Sequence, residues 1–214
     1  MKEIKLNGVI PEIFADRNNI DSEVWHNDIC FERGRSYLIE AASGTGKSSL
    51  CSYLYGQRGD YRGTILFDDD NIAIYNTEAW CHVRRNSISI LFQDLRLFGE
   101  LTAMENIEIK NRITNHRTRE EIDGWFEELG IADKRNTPIN RISYGQQQRV
   151  ALIRALCQPF DFLLLDEPIS HLDEQNSDIM RDIIVRETAQ SGAAIIATSI
   201  GKSMNINYDK RLKL

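Results

Sequence analysis

Cysteine, proline and long apolar runs are all scarce in this chain. Its four cysteines, Cys30, Cys51, Cys81 and Cys157, are scattered without a CxxC pair. That spacing speaks against a disulfide scaffold or a zinc site and predicts buried, reduced thiols in a reducing, cytoplasmic compartment. No apolar stretch reaches the ~18–20 residues that span a bilayer, and Met1-Lys2-Glu3-Ile4-Lys5 lacks the apolar segment of a signal peptide. There are 4 prolines and 13 glycines, and no Pro/Gly-rich linker, internal repeat or low-complexity tract. A basic excess is missing too. The 26 Lys and Arg residues against 32 Asp and Glu leave a net charge of −6. This excludes a strongly basic nucleic-acid binder, and no nucleic-acid partner is expected. What is present is 214 residues, 42% hydrophobic and 27% charged, the make-up of one large domain or two small lobes with an adequate core.

Several short apolar runs read as fully buried strands: Tyr37-Leu38-Ile39, Ile88 to Phe92, Phe162 to Leu165 and Ala193 to Ala197. They are continuous rather than alternating, which suits a parallel sheet covered on both faces. Helical patterns lie between them. Thr118-Arg119-Glu120-Glu121 forms a capping box before a helix with Ile122, Trp125, Phe126 and Leu129 on one face, stopped by Gly130. A second helix is predicted from Glu174 to Gln190, with Ile179, Met180, Ile183 and Ile184 inward. The alternation argues an α/β architecture. Leu95 to Pro138 carries helical patterns without a convincing strand and reads as a helical insertion. Met1 to Asp70 is strand-rich, with an antiparallel edge expected there.

The sharpest local signal is Ala41-Ala42-Ser43-Gly44-Thr45-Gly46-Lys47-Ser48, followed by Ser49 and the apolar helix start Leu50-Cys51-Ser52-Tyr53-Leu54. Strand, glycine-rich loop and helix are the context of a phosphate-binding loop. Successive amides converge on phosphate oxygens, glycines permit the close approach, and the helix presents its positive end. Lys47 supplies a charge for the β- and γ-phosphates, and the Ser48 hydroxyl suits Mg²⁺. Ala41 stands where GxxxxGK[ST] has its first glycine; the loop is expected to tolerate it.

A second signal is Phe162-Leu163-Leu164-Leu165-Asp166-Glu167-Pro168, an apolar run ending in two carboxylates. In a parallel sheet the carboxyl ends of the strands face the ligand crevice. Asp166 there suits Mg²⁺, and Glu167 is expected to polarise an attacking water.

Ile142-Ser143-Tyr144-Gly145-Gln146-Gln147-Gln148-Arg149, upstream of Asp166, resembles the LSGGQ signature of ABC-type ATPases. Gln93 resembles the family's Q-loop glutamine, Ser170-His171-Leu172-Asp173 its D-loop, and Phe14 its adenine-stacking aromatic. Phe92 to Phe98 followed by Leu101 to Ile107 is similar to the branch of lipoprotein-releasing, macrolide-exporting and cell-division ABC ATPases. The resemblance implies a RecA-like P-loop NTPase core with an antiparallel β portion and an inserted helical subdomain. Residues 1–93 and 150–214 would form the first lobe and 94–149 the second. It also implies the cofactors ATP and Mg²⁺, with Ser48, Gln93 and Asp166 as metal ligands. A homodimer would close around two ATP molecules, each met by Ser143, Tyr144, Gly145 and Gln146 of the opposite copy, with Asp173 at the D-loop. The partner would be a separate transmembrane permease, holding the chain at the inner face of the membrane. Soluble DNA-maintenance ATPases of the same type usually carry long coiled-coil or zinc insertions, which are missing from this chain.

Two departures bear on mechanism. Ser199, in Thr198-Ser199-Ile200, occupies the position of the family's switch histidine. A serine hydroxyl donates one hydrogen bond but carries no positive charge, so slow hydrolysis is expected, with a hydrolysis-poor switch as the alternative. None of His26, His82, His116 and His171 matches the missing role. Tyr144 replaces the signature's first glycine and is expected to lie along the dimer interface. Leu95, Leu97, Phe98, Leu101 and Met104 form a candidate permease-docking surface, with packing in the core of the helical lobe the alternative for any one of them. The run Arg112 to Arg119 is read as a solvated face.

Overall fold

The computed structural model describes residues 1–16, 20–42, 44–170 and 172–214. The strands, in chain order, are β1 (Glu3–Pro11), β2 (Ile29–Glu32), β3 (Ser36–Glu40), β4 (Tyr61–Phe67), β5 (Asp70–Asn71), β6 (Ile88–Leu91), β7 (Phe162–Asp166), β8 (Ala194–Ser199) and β9 (Lys210–Lys213). The helices are α1 (Lys47–Leu54), α2 (Thr77–Asn86), α3 (Ala103–Asn111), α4 (Arg119–Glu128), α5 (Tyr144–Leu156) and α6 (Glu174–Ser191).

The continuous apolar runs form a parallel sheet in the order β6-β7-β8-β3-β9. Every residue of β6, β7 and β8 is buried, as expected for strands covered on both faces. Alternate side chains feed two cores. Leu38, Leu163, Leu165 and Ile195 join the cluster shared with α3, α4, α5 and α6. Tyr37, Ile39, Leu164 and Ile196 join the cluster shared with α1 and the strand-rich N-terminal segment. Each such fully buried aliphatic side chain contributes roughly 1.5–3 kcal/mol.

The N-terminal strands form a four-stranded antiparallel sheet of their own, β2-β1-β4-β5, rather than an edge on the parallel one. Its register shifts between Asn7 and Ile10. Gly63 is required opposite: at φ +91, a Cβ there would sit 2.5 Å from the Gly8 carbonyl oxygen.

Leu95 to Pro138 contains α3 and α4 and, among strand contacts, a single bridge between Thr102 and Pro138. The Thr118/Glu121 capping box opens α4, and Gly130 follows it at φ +63. Thr102/Glu105 and Ser143/Gln146 cap α3 and α5 in the same way. Asp173 caps α6, and Gly192 ends it in the left-handed region.

Two surface expectations are corrected, and the apolar set after Gln93 is divided between core and surface. Cys30 and Cys81 are exposed, because they sit on an outward strand position and an outer helix face; only Cys51 and Cys157 are buried, and all four are free. Of the apolar set after Gln93, Leu95 and Met104 belong to the core, leaving Phe98 exposed at 56%. Arg117 is not part of a solvated face. It pairs with the buried Glu187 at 2.9 Å and lies over the Trp125 ring, whereas Arg112 and Arg119 do stay outside with Glu108.

Candidate functional site

The sheet register assembles the site. β8 lies between β3 and β7, so Glu40 pairs with Ser199, and Thr198 pairs with Asp166. The loop after β3, the Thr198-Ser199 pair and the Asp166-Glu167 pair thus stand side by side at the carboxyl ends of three neighbouring strands, where open α/β sheets bind ligands. Of these, the loop residues Gly44, Gly46 and Lys47 and the carboxylate of Glu167 line a cleft of about 470 Å³ that also takes in Ser48, Ser49 and Gln93, while Thr198 and Ser199 line an adjoining cavity that shares Glu167.

The loop turns through Gly44 at φ +81 and Gly46 at φ +103; Ala41 keeps a negative φ, so its methyl costs nothing. Ser43 lies outside the described residues. The Ala41 amide donates to the Ser199 carbonyl at 3.2 Å. The Ala42 carbonyl accepts from Thr45 Oγ1 at 3.0 Å and from Lys47 Nζ at 2.9 Å. Behind the loop, buried Trp25 donates from its indole to the Thr45 carbonyl at 2.9 Å. A Cβ on Gly46 would meet the rings of Trp25 and Phe14 at 3.1 and 3.2 Å. Close backbone approach and positive φ both demand glycine here.

Lys47 Nζ is buried and lies 3.7 Å from Glu167 Oε1. Thr198 Oγ1 donates to buried Asp166 Oδ1 at 2.8 Å and accepts the Glu167 amide at 3.2 Å. Glu167 itself holds φ +51, a strained state for a non-glycine residue that this bond helps to hold. Ser48 Oγ donates to Gln93 Oε1 at 3.4 Å. Among the described residues the buried Ser199 Oγ has no hydrogen-bond partner.

Ser143 accepts the Gln146 amide at 3.3 Å, and Gln146 Oε1 accepts the Ser143 amide at 2.9 Å. The Ser143 hydroxyl therefore keeps its proton to donate, and the first-turn amides, Gly145 among them, have no intrahelical acceptor. Tyr144 is 41% exposed and turns back to donate to the Gln93 carbonyl at 2.9 Å. Asp173 caps α6 through the Asn176 amide, which holds its carboxyl below the usual range. Asn176 Oδ1 in turn accepts from Arg149 of α5 at 2.8 Å. His171 lies outside the described residues.

Phe14 is 8% exposed and packs behind Gly46, whereas the adjacent Ile13 is 72% exposed at the mouth of the cleft. Ile13, Trp25 and Arg58 escaped the sequence reading. Arg58 lines the cleft, donates to Ser49 Oγ at 2.9 Å and pairs with Asp60. Its one signal was the Arg58-Gly59-Asp60 turn, which marks a bend and not a cleft wall.

The donors fit Mg-ATP. Gly44 and Gly46 at positive φ, with Gly46 seated on Trp25 and Phe14, leave bare loop amides at the start of α1, and Ser48, Gln93 and Asp166 offer hard oxygen ligands. Among the described residues no group of three His, Cys, Asp or Glu could hold a metal alone. Mg²⁺ is usually bound through one or two carboxylates plus substrate phosphates and waters, and Asp166 is such a carboxylate.

Fold and site together define a phosphate-loop nucleotide-binding protein. More narrowly, the chain belongs to the ABC transporter family, whose model matches residues 26–170, and it is an ATP-binding domain of that family. An uncharacterized ABC transporter ATP-binding protein of Mycobacterium tuberculosis is 30% identical over 88% of this chain and 77% of its own. The lipoprotein-releasing system ATP-binding protein LolD 1 of Chlorobium chlorochromatii is 27% identical over 99% and 87%. The macrolide export ATP-binding/permease protein MacB of Campylobacter jejuni is 28% identical over 79% of this chain and 27% of its own. In fold, the chain is similar to the dimeric structure of a bacterial ABC transporter cassette, with a TM-score of 0.78 and 24% identity over 92% of this chain and 87% of that one. No helix among the described residues is long and apolar enough to cross a membrane.

Proposed function

We propose that this chain hydrolyses Mg-ATP, slowly, as one half of a homodimer that drives a separate membrane permease. The carrying observation is the row of Lys47, Ser199, Thr198, Asp166 and Glu167 across three adjacent strand ends. Loop amides and the α1 N-terminus hold phosphate oxygens, and Lys47 exchanges Glu167 for the β- and γ-phosphates. Ser48, Gln93 and Asp166 would hold Mg²⁺, which would supply charge neutralisation on those oxygens when bound. Glu167, once released by Lys47, takes the proton of the attacking water. Ser199 donates its hydroxyl, unpartnered among the described residues, to the γ-phosphate. The exposed Ile13, with the edge of Phe14, forms the apolar platform for the base. Ser143, Gly145 and the α5 N-terminus complete the other copy's site.

The permease reading has its own support. Two adjoining cavities share Tyr55 and Lys110 and are lined by Arg84, Arg85, Arg96, Lys110 and Arg154, with no acidic side chain among the lining residues. In a chain of net charge −6 this local excess stands out. Phe98, Ile109 and Ile113 are exposed along it. The groove suits a helix bearing apolar and carboxylate side chains, and we assign it to the membrane subunit. The name of the Campylobacter relative joins ATP-binding and permease parts in one protein. Docking of this kind would place the chain on the cytoplasmic face of the membrane.

Ser199 favours one rival: an ATP-dependent switch that dimerises and regulates a membrane partner with little turnover. Single-turnover hydrolysis of Mg-ATP at high protein concentration decides between them. Hydrolysis that disappears in Glu167→Gln establishes the motor. ATP left intact by the wild type, with and without permease, establishes the switch.

A further inference from the structure

Gln93 touches two parts of the molecule at once. Its side chain faces Ser48 in its own cleft at 3.4 Å, and its backbone carbonyl accepts the Tyr144 hydroxyl at 2.9 Å. Tyr144 is the first residue of α5, between the Ser143 cap and Gly145. The far end of α5 grips the same segment. Arg154 donates to the carbonyls of Leu95 at 2.6 Å and Arg96 at 2.7 Å.

The gripped segment is strained. Leu95 and Arg96 hold φ +57 and +48, conformations that non-glycine residues keep only when their surroundings impose them. Arg96 is further pinned over the Phe92 ring, 4.0 Å from its centroid. Residues 93–96 and α5 are therefore tied at both ends of the helix, and a shift of Gln93 is passed to the α5 N-terminus. A glycine at position 144 would leave the Gln93 carbonyl without this tie; the phenol supplies it.

We propose that Tyr144 is a positioning residue that couples the two nucleotide sites of the dimer. Binding of Mg-ATP at Ser48 and Gln93 in one cleft moves, through the Gln93 carbonyl and the Tyr144 hydroxyl, the helix end that faces the nucleotide of the second copy. This rests on the homodimer reading above. Couplings of this kind commonly change affinity by roughly 5–150-fold, enough to show as cooperativity in ATP.

The test uses Tyr144→Phe, which removes one oxygen and leaves the ring. Dimerisation in Mg-ATP is measured by sedimentation for Glu167→Gln alone and combined with Tyr144→Phe. Hydrolysis against ATP concentration is measured for wild type and Tyr144→Phe. The expected result is that both Glu167→Gln proteins dimerise, that melting temperatures match, and that a Hill coefficient near 2 in wild type drops towards 1 in Tyr144→Phe. Equal Hill coefficients in the two proteins overturn the coupling role. So does dimerisation lost only on Tyr144→Phe, since the hydroxyl would then build the interface. If Glu167→Gln alone stays monomeric, the homodimer reading fails, and the coupling falls with it.

Discussion

The Thr198 hydroxyl donates to Asp166 Oδ1 at 2.8 Å, and the same oxygen accepts the Glu167 amide at 3.2 Å. One side chain on β8 thus holds the Asp166 carboxylate at the end of β7 and the backbone of Glu167, the next residue. Thr198→Val keeps the shape and removes both bonds. Loss of such a supporting contact typically costs about 10–100-fold in metal affinity or activity, and the buried Asp166 oxygen left unpaired adds a destabilisation of about 1–3 kcal/mol. Turnover is expected to drop by that factor while ATP binding without metal is retained. Parallel kinetics and metal-free nucleotide titration check this, and unchanged kinetics would show that the strand backbone alone orients the pair.

Ser199 has a buried hydroxyl with no partner among the described residues, beside a cavity of about 230 Å³ bounded by Glu167, Met204 and Tyr208. The space accepts an imidazole. Ser199→His is expected to raise the single-turnover rate by about 100-fold, the lower end of what one transition-state donor supplies. A rate that does not rise places the slow step elsewhere.

Phe98 is the exposed member of the apolar set following Gln93. Phe98→Asp puts a charge into the groove without disturbing the core. Co-purification with the permease is expected to be lost at an unchanged melting temperature. A large drop in melting temperature would instead make Phe98 a packing residue.

Lys110 is lowered from its ordinary 10.5 to about 8, by burial first and then by Arg154 and Arg84. Below pH 8 the ammonium is charged in folded and unfolded chain alike, and its full cost is present. Between pH 8 and 10.5 the unfolded chain binds more protons, so this group makes stability rise with pH across that window. Lys110→Met is expected to raise the melting temperature at pH 7 and to narrow its lead over wild type as pH approaches 10. Melting curves across that range check the sign.

Much of the core was legible locally. Ile88 to Phe92, Phe162 to Leu165 and Ala193 to Ala197 announce parallel strands because burial on both faces removes the polar alternation, and they fall within two residues of β6, β7 and β8. The Thr118/Glu121 box and Gly130 delimit α4 within one residue. Phe14 was harder to read. An aromatic at that place is apolar whether it packs or binds; its ring lies against Gly46 and also lines the cleft, beside the far more exposed Ile13.

What the amino-acid sequence determined by itself is the local chemistry: a loop whose glycines and Lys47 follow a strand, a strand that ends in Asp166 and Glu167, and caps that start and stop the helices. Each depends on residues within a few positions of one another. Tertiary structure alone decided that β8 slots between β3 and β7, which brings Thr198 to Asp166 and Ser199 beside the loop. It also decided that Tyr144 turns back to Gln93 and that Arg84, Lys110 and Arg154 meet in one groove. Those encounters join residues far apart in the chain, and they depend on strand order and helix packing, which no short stretch of sequence encodes.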